Sequence, residues 1–205
     1  MKVRKRLTRH ESKEATRARL IEAGEKVFIR RGFEEASVAE IADAAGYTRG
    51  AFYSNFADTN ELFLAVVDAH RLDVVNALQD ILRGVSGGAE RRAAVREWFR
   101  NQWRMKDFVA LRMGFSRGAR KSRSIRNRLA DLWRQEFESY AACVTQDVAA
   151  PGASAAERRD TVALALLAVN HGLAMMAIDA RPDMYHLYPE AAQLAFDRLN
   201  NLGVE

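Results

Sequence analysis

Helical periodicity, almost uninterrupted, is the feature that most constrains the fold of this chain. Only three prolines occur among the 205 residues, at positions 151, 182 and 189. Long segments repeat apolar residues at intervals of about 3.6, and none shows the alternation of apolar and polar side chains that marks a half-buried strand. We therefore expect an all-α fold of about nine helices.

The first helix carries a glycine on its apolar face. Leu20, Ile21, Val27 and Phe28 line that face, and Gly24 falls among them. A glycine within a helix costs about 0.5–1 kcal/mol relative to alanine. Its position therefore predicts that another helix crosses closely there. Further helices are expected at about residues 58–83, 89–105, 107–119, 123–149, 154–180 and 188–202.

Residues 37–56, SVAEIADAAGYTRGAFYSNF, have the layout of a helix-turn-helix. Ser37 and Glu40 form a capping-box pattern that starts one helix, and Thr48 can cap the next. Gly46 lies in the turn, where we expect a Cβ atom to clash. The second helix could then enter a major groove about 12 Å wide. Geometry alone leaves open an ordinary helical hairpin with a glycine in its turn.

Positive charge is concentrated at the start of the sequence. The whole chain has a net charge of +5, whereas residues 1–19 hold eight basic and two acidic side chains. The rest of the chain is therefore close to neutral. We expect residues 1–12 to form a basic arm that follows a DNA groove or the phosphates, with Arg4, Lys5 and Arg6 among its DNA contacts. The alternative is a solvated terminus.

Cysteine and histidine usage argues against several classes of site. Cys143 is the only cysteine, so one chain cannot form a disulfide framework or a cysteine-based zinc site. The four histidines are scattered, and no nucleophile triad, carboxylate pair or phosphate-binding glycine loop is evident. We expect no enzyme activity, metal or cofactor. Because no run of about 18 uninterrupted apolar residues occurs, we expect a soluble cytoplasmic protein with no membrane partner.

A long run of residues around the helix-turn-helix has a specific pattern. It includes Ala23–Phe28, Arg31–Phe33, Ser37–Val38, Ile41–Ala42, Ala45–Gly46, Arg49–Tyr53 and Phe56. Over 49 residues, from Thr16 to Leu64, the chain resembles the N-terminal DNA-binding domain of the TetR family of transcriptional regulators. The resemblance implies a three-helix DNA-binding head and a C-terminal helical body that dimerises and binds a ligand. We therefore expect an arm at 1–12, a helix-turn-helix domain at 13–57, and an effector-binding and dimerisation domain at 58–205.

The resemblance also assigns DNA contacts residue by residue. Ser37 would contact a phosphate at a helix N-terminus, Gly50 would allow close approach, and Asn55 would contact the DNA backbone. Tyr53 would lie either on a phosphate or in the core. Thr59 stands where family members commonly have a lysine, which removes one expected phosphate contact. The expected DNA-binding residues are Ser37, Thr48, Arg49, Gly50, Ala51, Tyr53, Asn55 and Thr59.

The C-terminal body is rich in aromatic and thioether side chains, which fill ordinary cores but also line apolar ligand pockets. Asn170 and His171 lie in an otherwise apolar helix, where the pattern allows either a satisfied core pair or ligand contacts. We expect an effector pocket bordered by Trp98, Trp103, Phe108, Phe137, Tyr140, Asn170, His171 and Met175.

The helix expected at 154–180 is apolar almost all round and rich in small residues. Such a helix must be buried on more than one side. We expect it and the last helix to pair with their copies in a homodimer, as the resemblance also implies. Two recognition helices related by a two-fold axis read a palindrome. The expected interface residues are Leu166, Val169, Leu173, Leu194 and Leu199.

A second basic stretch lies in the body. It contains no acid and six cations, Arg117, Arg120, Lys121, Arg123, Arg126 and Arg128. A solvated loop and helix start is the favoured interpretation. A rim for anionic effectors and an electrostatic supplement to DNA attraction are the alternatives.

Together these features predict a homodimeric, sequence-specific DNA-binding transcriptional regulator. We expect a repressor that a small-molecule effector releases from a palindromic site on double-stranded DNA. Repression is favoured because a bound dimer blocks a promoter by occlusion. The competing interpretations are an enzyme with an accidental helix-turn-helix and a DNA-binding protein without an effector.

Overall fold

A computed structural model describes residues 8–85, 87–118, 122–143 and 154–200, and Arg4, Lys5, Arg6, Arg120 and Lys121 lie outside them. The described residues confirm the expected all-α fold, since they contain helices and no strand. The α-helices are α1 (Arg9–Arg31), α2 (Val38–Ala44), α3 (Arg49–Tyr53), α4 (Thr59–Gly84), α5 (Gly88–Arg100), α6 (Lys106–Gly118), α7 (Arg123–Cys143), α8 (Ala155–Asp179) and α9 (Leu187–Asn200).

Local capping explains where several helices begin. The Thr8 hydroxyl accepts a hydrogen bond from the Glu11 amide, and the Glu11 carboxylate accepts one from the Thr8 amide. This reciprocal pair starts α1 at Arg9, so part of the segment expected to form an arm is helical. Ser154 and Glu157 form the same arrangement at the start of α8, as the sequence predicts.

The helices divide into two compact units. The helix-turn-helix unit comprises Met1–His70 and Gly114–Arg128, and the body unit comprises Arg71–Met113 and Leu129–Glu205. The domain boundaries expected at residues 12 and 57 stay predictions.

The core of the helix-turn-helix unit is built from bulky side chains on α1 to α4. A Cβ atom added at Gly24 would lie 2.7 Å from Cδ2 of Leu62, which confirms the close helix crossing expected there. An aromatic cluster continues this core, with the rings of Phe63 and Phe115 stacked at 4.0 Å between centroids. The fully buried side chains include Leu20, Val27, Phe28, Ile41, Phe52, Phe56, Leu62 and Phe63.

The body unit has its own apolar core. Helix α9 packs against both α5 and α8. A separate small cluster forms around Trp103, whose ring stacks on that of Tyr188 at 5.2 Å between centroids. The main cluster contains Val74, Leu78, Val95, Phe99, Tyr140, Ala141, Val162, Ala163, Leu166, Leu167, Ala192 and Phe196.

Candidate DNA-binding interface

The turn between α2 and α3 is closed by backbone hydrogen bonds. The amide of Tyr47 donates to the carbonyl of Ala42 at 2.8 Å, and that of Gly46 donates to Asp43 at 2.9 Å. Gly46 has a φ of 74°, a left-handed conformation that a residue with a Cβ adopts at a cost. No atom lies within 4 Å of where a Gly46 Cβ would stand, so the expected clash is wrong and backbone conformation is the reason for the glycine.

Ser37 and Thr48 cap the two helices of this motif. The Ser37 hydroxyl accepts from the Glu40 amide, and the Thr48 hydroxyl accepts from the Ala51 amide, both at 3.2 Å. Of the capping box predicted at Ser37, only the hydrogen bond from the Glu40 amide to the Ser37 hydroxyl forms. The Glu40 carboxylate instead accepts from Arg30 at 2.7 Å and from Arg31 at 3.4 Å. These bonds, that from Arg30 first, lower the pKa of Glu40 and tie α2 to the end of α1.

Helix α3 has one buried side and one exposed side. Phe52 is fully buried, and its ring lies 5.8 Å from that of Phe56 between centroids. Tyr53 is 53% exposed, which overturns the alternative that placed it in the core. Arg49 and Gly50 are exposed too, and Ala51 is half-buried. This exposure is compatible with contacts to bases or phosphates, and the DNA-binding roles of these residues stay predictions.

Asn55 has a structural role that the sequence did not indicate. Its Nδ2 donates to the Ala51 carbonyl at 2.8 Å and to the Ser54 hydroxyl at 3.3 Å, which closes the end of α3. Its Oδ1 is buried and has no hydrogen-bond partner among the described residues. An amide held in this way must rotate before it can donate to a phosphate, so the predicted DNA contact of Asn55 stays a prediction.

Arg17 is a residue whose role sequence reasoning missed, because it was counted only as one of the N-terminal charges. Its Nη1 donates to the Asn55 carbonyl at 2.8 Å. The guanidinium carbon lies 4.2 Å from the centre of the Phe56 ring, in cation–π geometry. Arg17 therefore fixes α1 to the end of the recognition helix. Nothing in the spacing of Arg17 and Asn55 along the chain signals this contact.

Thr59 is half-buried at the first turn of α4. It borders a cavity of about 460 Å³ together with Asn60, Arg117 and Ser122. The segment that carries Arg4, Lys5 and Arg6 lies outside the described residues, so its expected phosphate contacts stay predictions.

The comparisons with known proteins agree with this geometry. The sequence pattern described as "Bacterial regulatory proteins, tetR family" matches residues 20–66, which contain α2, the turn and α3. Over these residues the chain is similar to the TetR family. Its match to the transcriptional activator FasR of Mycolicibacterium smegmatis is 37% identical over 84 residues, covering 40% of this chain and 38% of FasR.

A second curated relative and a solved structure are also similar to this chain. The transcriptional regulator TtgR of Pseudomonas putida is 45% identical over 64 residues, which cover 31% of this chain and 30% of TtgR. The chain thus spans well under half the length of these curated relatives. A TetR-family crystal structure from Mesorhizobium loti superimposes with a TM-score of 0.70 at 17% identity, over 94% of this chain and 97% of that one. At this identity the similarity shows the fold alone.

In the body unit, several of the residues expected to border a pocket make core contacts. Asn170 donates from Nδ2 to the Tyr140 hydroxyl at 2.9 Å, and Trp98 lies 5.9 Å from the Tyr140 ring between centroids. His171 bonds to the Leu167 carbonyl through Nδ1 at 2.9 Å. These contacts favour the satisfied-core interpretation of Asn170 and His171.

The remaining expected pocket residues differ in burial. Trp103 and Phe108 are buried, Phe137 packs against the main core, and Met175 is 38% exposed. None of the eight expected residues lines the body-unit cavity of about 360 Å³ between α4 and α7. That cavity is lined by Arg71, Val75, Leu78, Gln79, Gln135, Glu138, Ser139 and Ala142.

Helices α8 and α9 expose several apolar side chains. Leu194 is 63% exposed and is therefore accessible to a second chain. Leu166 is only 4% exposed because it packs in the core of the same chain, which argues against its expected interface role. Val169, Leu173 and Leu199 are half-buried against the core. The largest exposed apolar residues on α8 and α9 are Leu164, Met175, Met176, Leu187 and Leu194.

Helix α8 is also long and apolar enough, by length and composition, to cross a membrane. The most apolar window of Ala156–Asp179 has a mean hydropathy of 1.8, and 39% of it is buried within the chain. One such helix is weak evidence for a membrane span. A core helix with an additional protein partner has the same composition.

Proposed function

We propose that this protein is a cytoplasmic, sequence-specific DNA-binding transcriptional regulator of the TetR family. The observation that carries the proposal is the two-sided recognition helix. Phe52 anchors α3 in the core, while Thr48, Arg49 and Tyr53 are exposed on its outer side. An exposed short helix with a cation, a hydroxyl and a phenol offers the donors that base edges and phosphates accept.

The proposed form that binds DNA is a homodimer. Leu164 and Leu194 are 60% and 63% exposed, and burying two leucines contributes about 1.5–3 kcal/mol each. On α8, Ala168 and Gly172 follow Leu164 at intervals of four residues. Both are exposed and small, so a second helix could approach closely. A two-fold pair of α8 and α9 helices would present two recognition helices to a palindromic site.

The binding test uses DNA that the protein selects from a random pool. Arg49→Gln removes the only cation of α3. We expect it to weaken binding to the selected site by at least about tenfold, because a lost base contact by arginine costs about 1–3 kcal/mol. Arg83→Gln, an exposed change in the body unit, is the control with equal charge. Equal affinities of both variants and the wild type would contradict the proposal.

A small-molecule effector is the proposed signal, and the α4–α7 cavity of the body unit is its proposed site. Its lining combines apolar residues with Arg71 and Glu138, so it suits a small molecule with both apolar and polar groups. Ala142→Trp would fill it, whereas Ala130→Trp changes an exposed position on the same helix.

Thermal-shift measurements with a panel of apolar and cationic compounds test this site. A compound that binds the cavity raises the melting temperature of the wild type and of Ala130→Trp but not of Ala142→Trp. A compound that stabilises all three proteins equally would show that the effector binds elsewhere.

Repression is the proposed outcome, because a dimer on a promoter occludes it. Activation is the second candidate, and the match to FasR, named an activator, favours it. Transcription in vitro from a promoter that carries the selected site separates the two. Repression predicts fewer transcripts as protein is added, and activation predicts more.

A further inference from the structure

The basic stretch of the body sequence belongs to the helix-turn-helix unit. Gly114–Arg128 joins this unit although residues on either side of it belong to the body unit. The segment comprises the end of α6 and the start of α7. Between Arg117 and Arg128 it holds six cations and no acid. A cationic segment and the recognition helix are therefore parts of one compact unit.

Aromatic packing holds this segment in place. Phe115 stacks on Phe63 with ring centroids 4.0 Å apart and meets Phe33 edge-on at 4.6 Å. Phe63 and Phe115 are buried. Close-packed rings of this kind fix the backbone to which they are attached. The position of Arg117, two residues after Phe115, is consequently set by the core of the unit.

The same segment lies beside the first turn of α4. Arg117, Gly118 and Ser122 line one cavity with Thr59 and Asn60. Thr59, the first residue of α4, comes only six positions after Tyr53, the last residue of α3. Six residues span at most about 20 Å, so this cavity is close to the recognition helix.

The segment beside this cavity carries exposed positive charge. Arg117 lines the cavity, and Arg123 follows Ser122, which lines it too; both arginine side chains are exposed. Glu34 is the acidic side chain of the cavity lining, and its Oε1 lies 3.1 Å from the position of a Cβ at Gly118. In the cavity lining itself Arg117 and Glu34 offset one another, so the positive surface comes from the exposed arginines of the segment, Arg117, Arg123, Arg126 and Arg128. A positive surface is the electrostatic signature of a phosphate-binding face.

We propose that Arg117 and Arg123 form an additional DNA-backbone surface, which contacts phosphates flanking the bases that α3 reads. The inference rests on the proposed DNA-binding function and extends it to the α6–α7 segment. Such contacts carry no sequence information. They add to affinity for every DNA sequence and weaken as salt displaces them.

The test compares Arg117→Gln/Arg123→Gln with Arg83→Gln/Arg92→Gln, which removes the same charge from exposed positions of the body unit. Fluorescence anisotropy measures affinity for the selected site and for a scrambled duplex between about 50 and about 200 mM salt. We expect the first pair to weaken binding to both duplexes by roughly fivefold. The slope of log affinity against log salt should fall by about 0.9 for each lost contact.

Glu34→Gln supplies a change of opposite sign. It removes the acid of the cavity and should raise affinity for both duplexes. Melting temperatures of all variants show whether the fold is retained. If the wild type binds its site and Arg117→Gln/Arg123→Gln matches Arg83→Gln/Arg92→Gln in affinity and salt slope, this inference is wrong while the proposed function stands. If the wild type itself binds no DNA, the proposed function fails.

Discussion

Arg112 and Glu136 form a buried ion pair that links α6 to α7 within the body unit. Nη1 of Arg112 donates to Oε2 of Glu136 at 2.6 Å, and the two residues are 3% and 6% exposed. The guanidinium carbon lies 3.5 Å from the centre of the Trp133 ring. A buried charge that loses its partner is costly, whereas replacing both partners by apolar residues is often neutral.

We therefore expect Glu136→Gln to lower the free energy of unfolding by about 3 kcal/mol, because it leaves the Arg112 charge buried. The double variant Arg112→Met/Glu136→Leu should lose much less. Urea denaturation followed by circular dichroism measures both. A double variant that is less stable than Glu136→Gln would contradict this account of the pair.

The stability of the body unit should depend on pH through His171. Burial lowers the pKa of His171 below its ordinary value of 6.5, although the nearby Glu136 carboxylate raises it in part. Arg112 lowers it further, and Nε2 of His171 lies 3.8 Å from Glu136 Oε1. Because the unfolded chain takes up the proton at a higher pH than the folded chain, stability is retained above pH 6.5 and lost as the pH falls below it.

Replacing His171 by Asn should flatten this dependence, whereas His186→Asn, at an exposed histidine, should leave it unchanged. Urea midpoints at about pH 7 and about pH 5 give the comparison. The same acid-induced loss in His171→Asn as in the wild type would assign the effect to other groups.

Two glycines of the helix-turn-helix should respond oppositely to alanine. Gly46→Ala places a Cβ at a φ of 74° and should lower stability by about 1 kcal/mol. Gly50→Ala meets only the Thr48 hydroxyl, at 3.6 Å, and should raise helix stability by about 0.5 kcal/mol. Thermal denaturation of the two variants checks the signs. A stabilised Gly46→Ala would refute the backbone explanation of the turn.

The proposed dimer predicts a change of oligomeric state. Leu194→Glu places a charge at a 63% exposed position of α9 that would be buried in the dimer. We expect it to shift the protein to monomer in analytical ultracentrifugation. Leu72→Glu, at a 44% exposed position on α4, is the matched control. If Leu194→Glu stays dimeric while Leu72→Glu becomes monomeric, the interface lies elsewhere.

Local signals in the sequence predicted much of this fold. Thr48 and the Ser154–Glu157 pair cap helices as their spacing indicates. Gly24 marks the crossing with Leu62, because a glycine on the apolar face of a helix indicates that another helix passes close by. Such features depend on neighbours within one or two helical turns, which the sequence displays directly.

Contacts between distant residues could not be predicted in this way. Arg112 and Glu136 are 24 positions apart, and Arg17 and Asn55 are 38 apart. Glu40 shows how a distant contact can compete with a local one. Its spacing from Ser37 suits a capping box, yet its carboxylate pairs with two arginines of α1. The pocket expected around Trp98 and Tyr140 stays a prediction, and the core contacts of these two residues do not support it. Aromatic composition alone does not distinguish a filled core from a cavity.

Selection of DNA from a random pool by the full chain, followed by sequencing of the bound fraction, tests the central claim most directly. If α3 is a recognition helix in a two-fold dimer, the enriched sequences contain a palindrome whose half-site centres lie about 10 base pairs apart, or a multiple of that distance. Arg49→Gln should relax the preference at symmetric positions of both half-sites. The claim would be contradicted if the wild type enriches no palindrome. It would also be contradicted if Arg49→Gln enriches the same palindrome with unchanged base preferences.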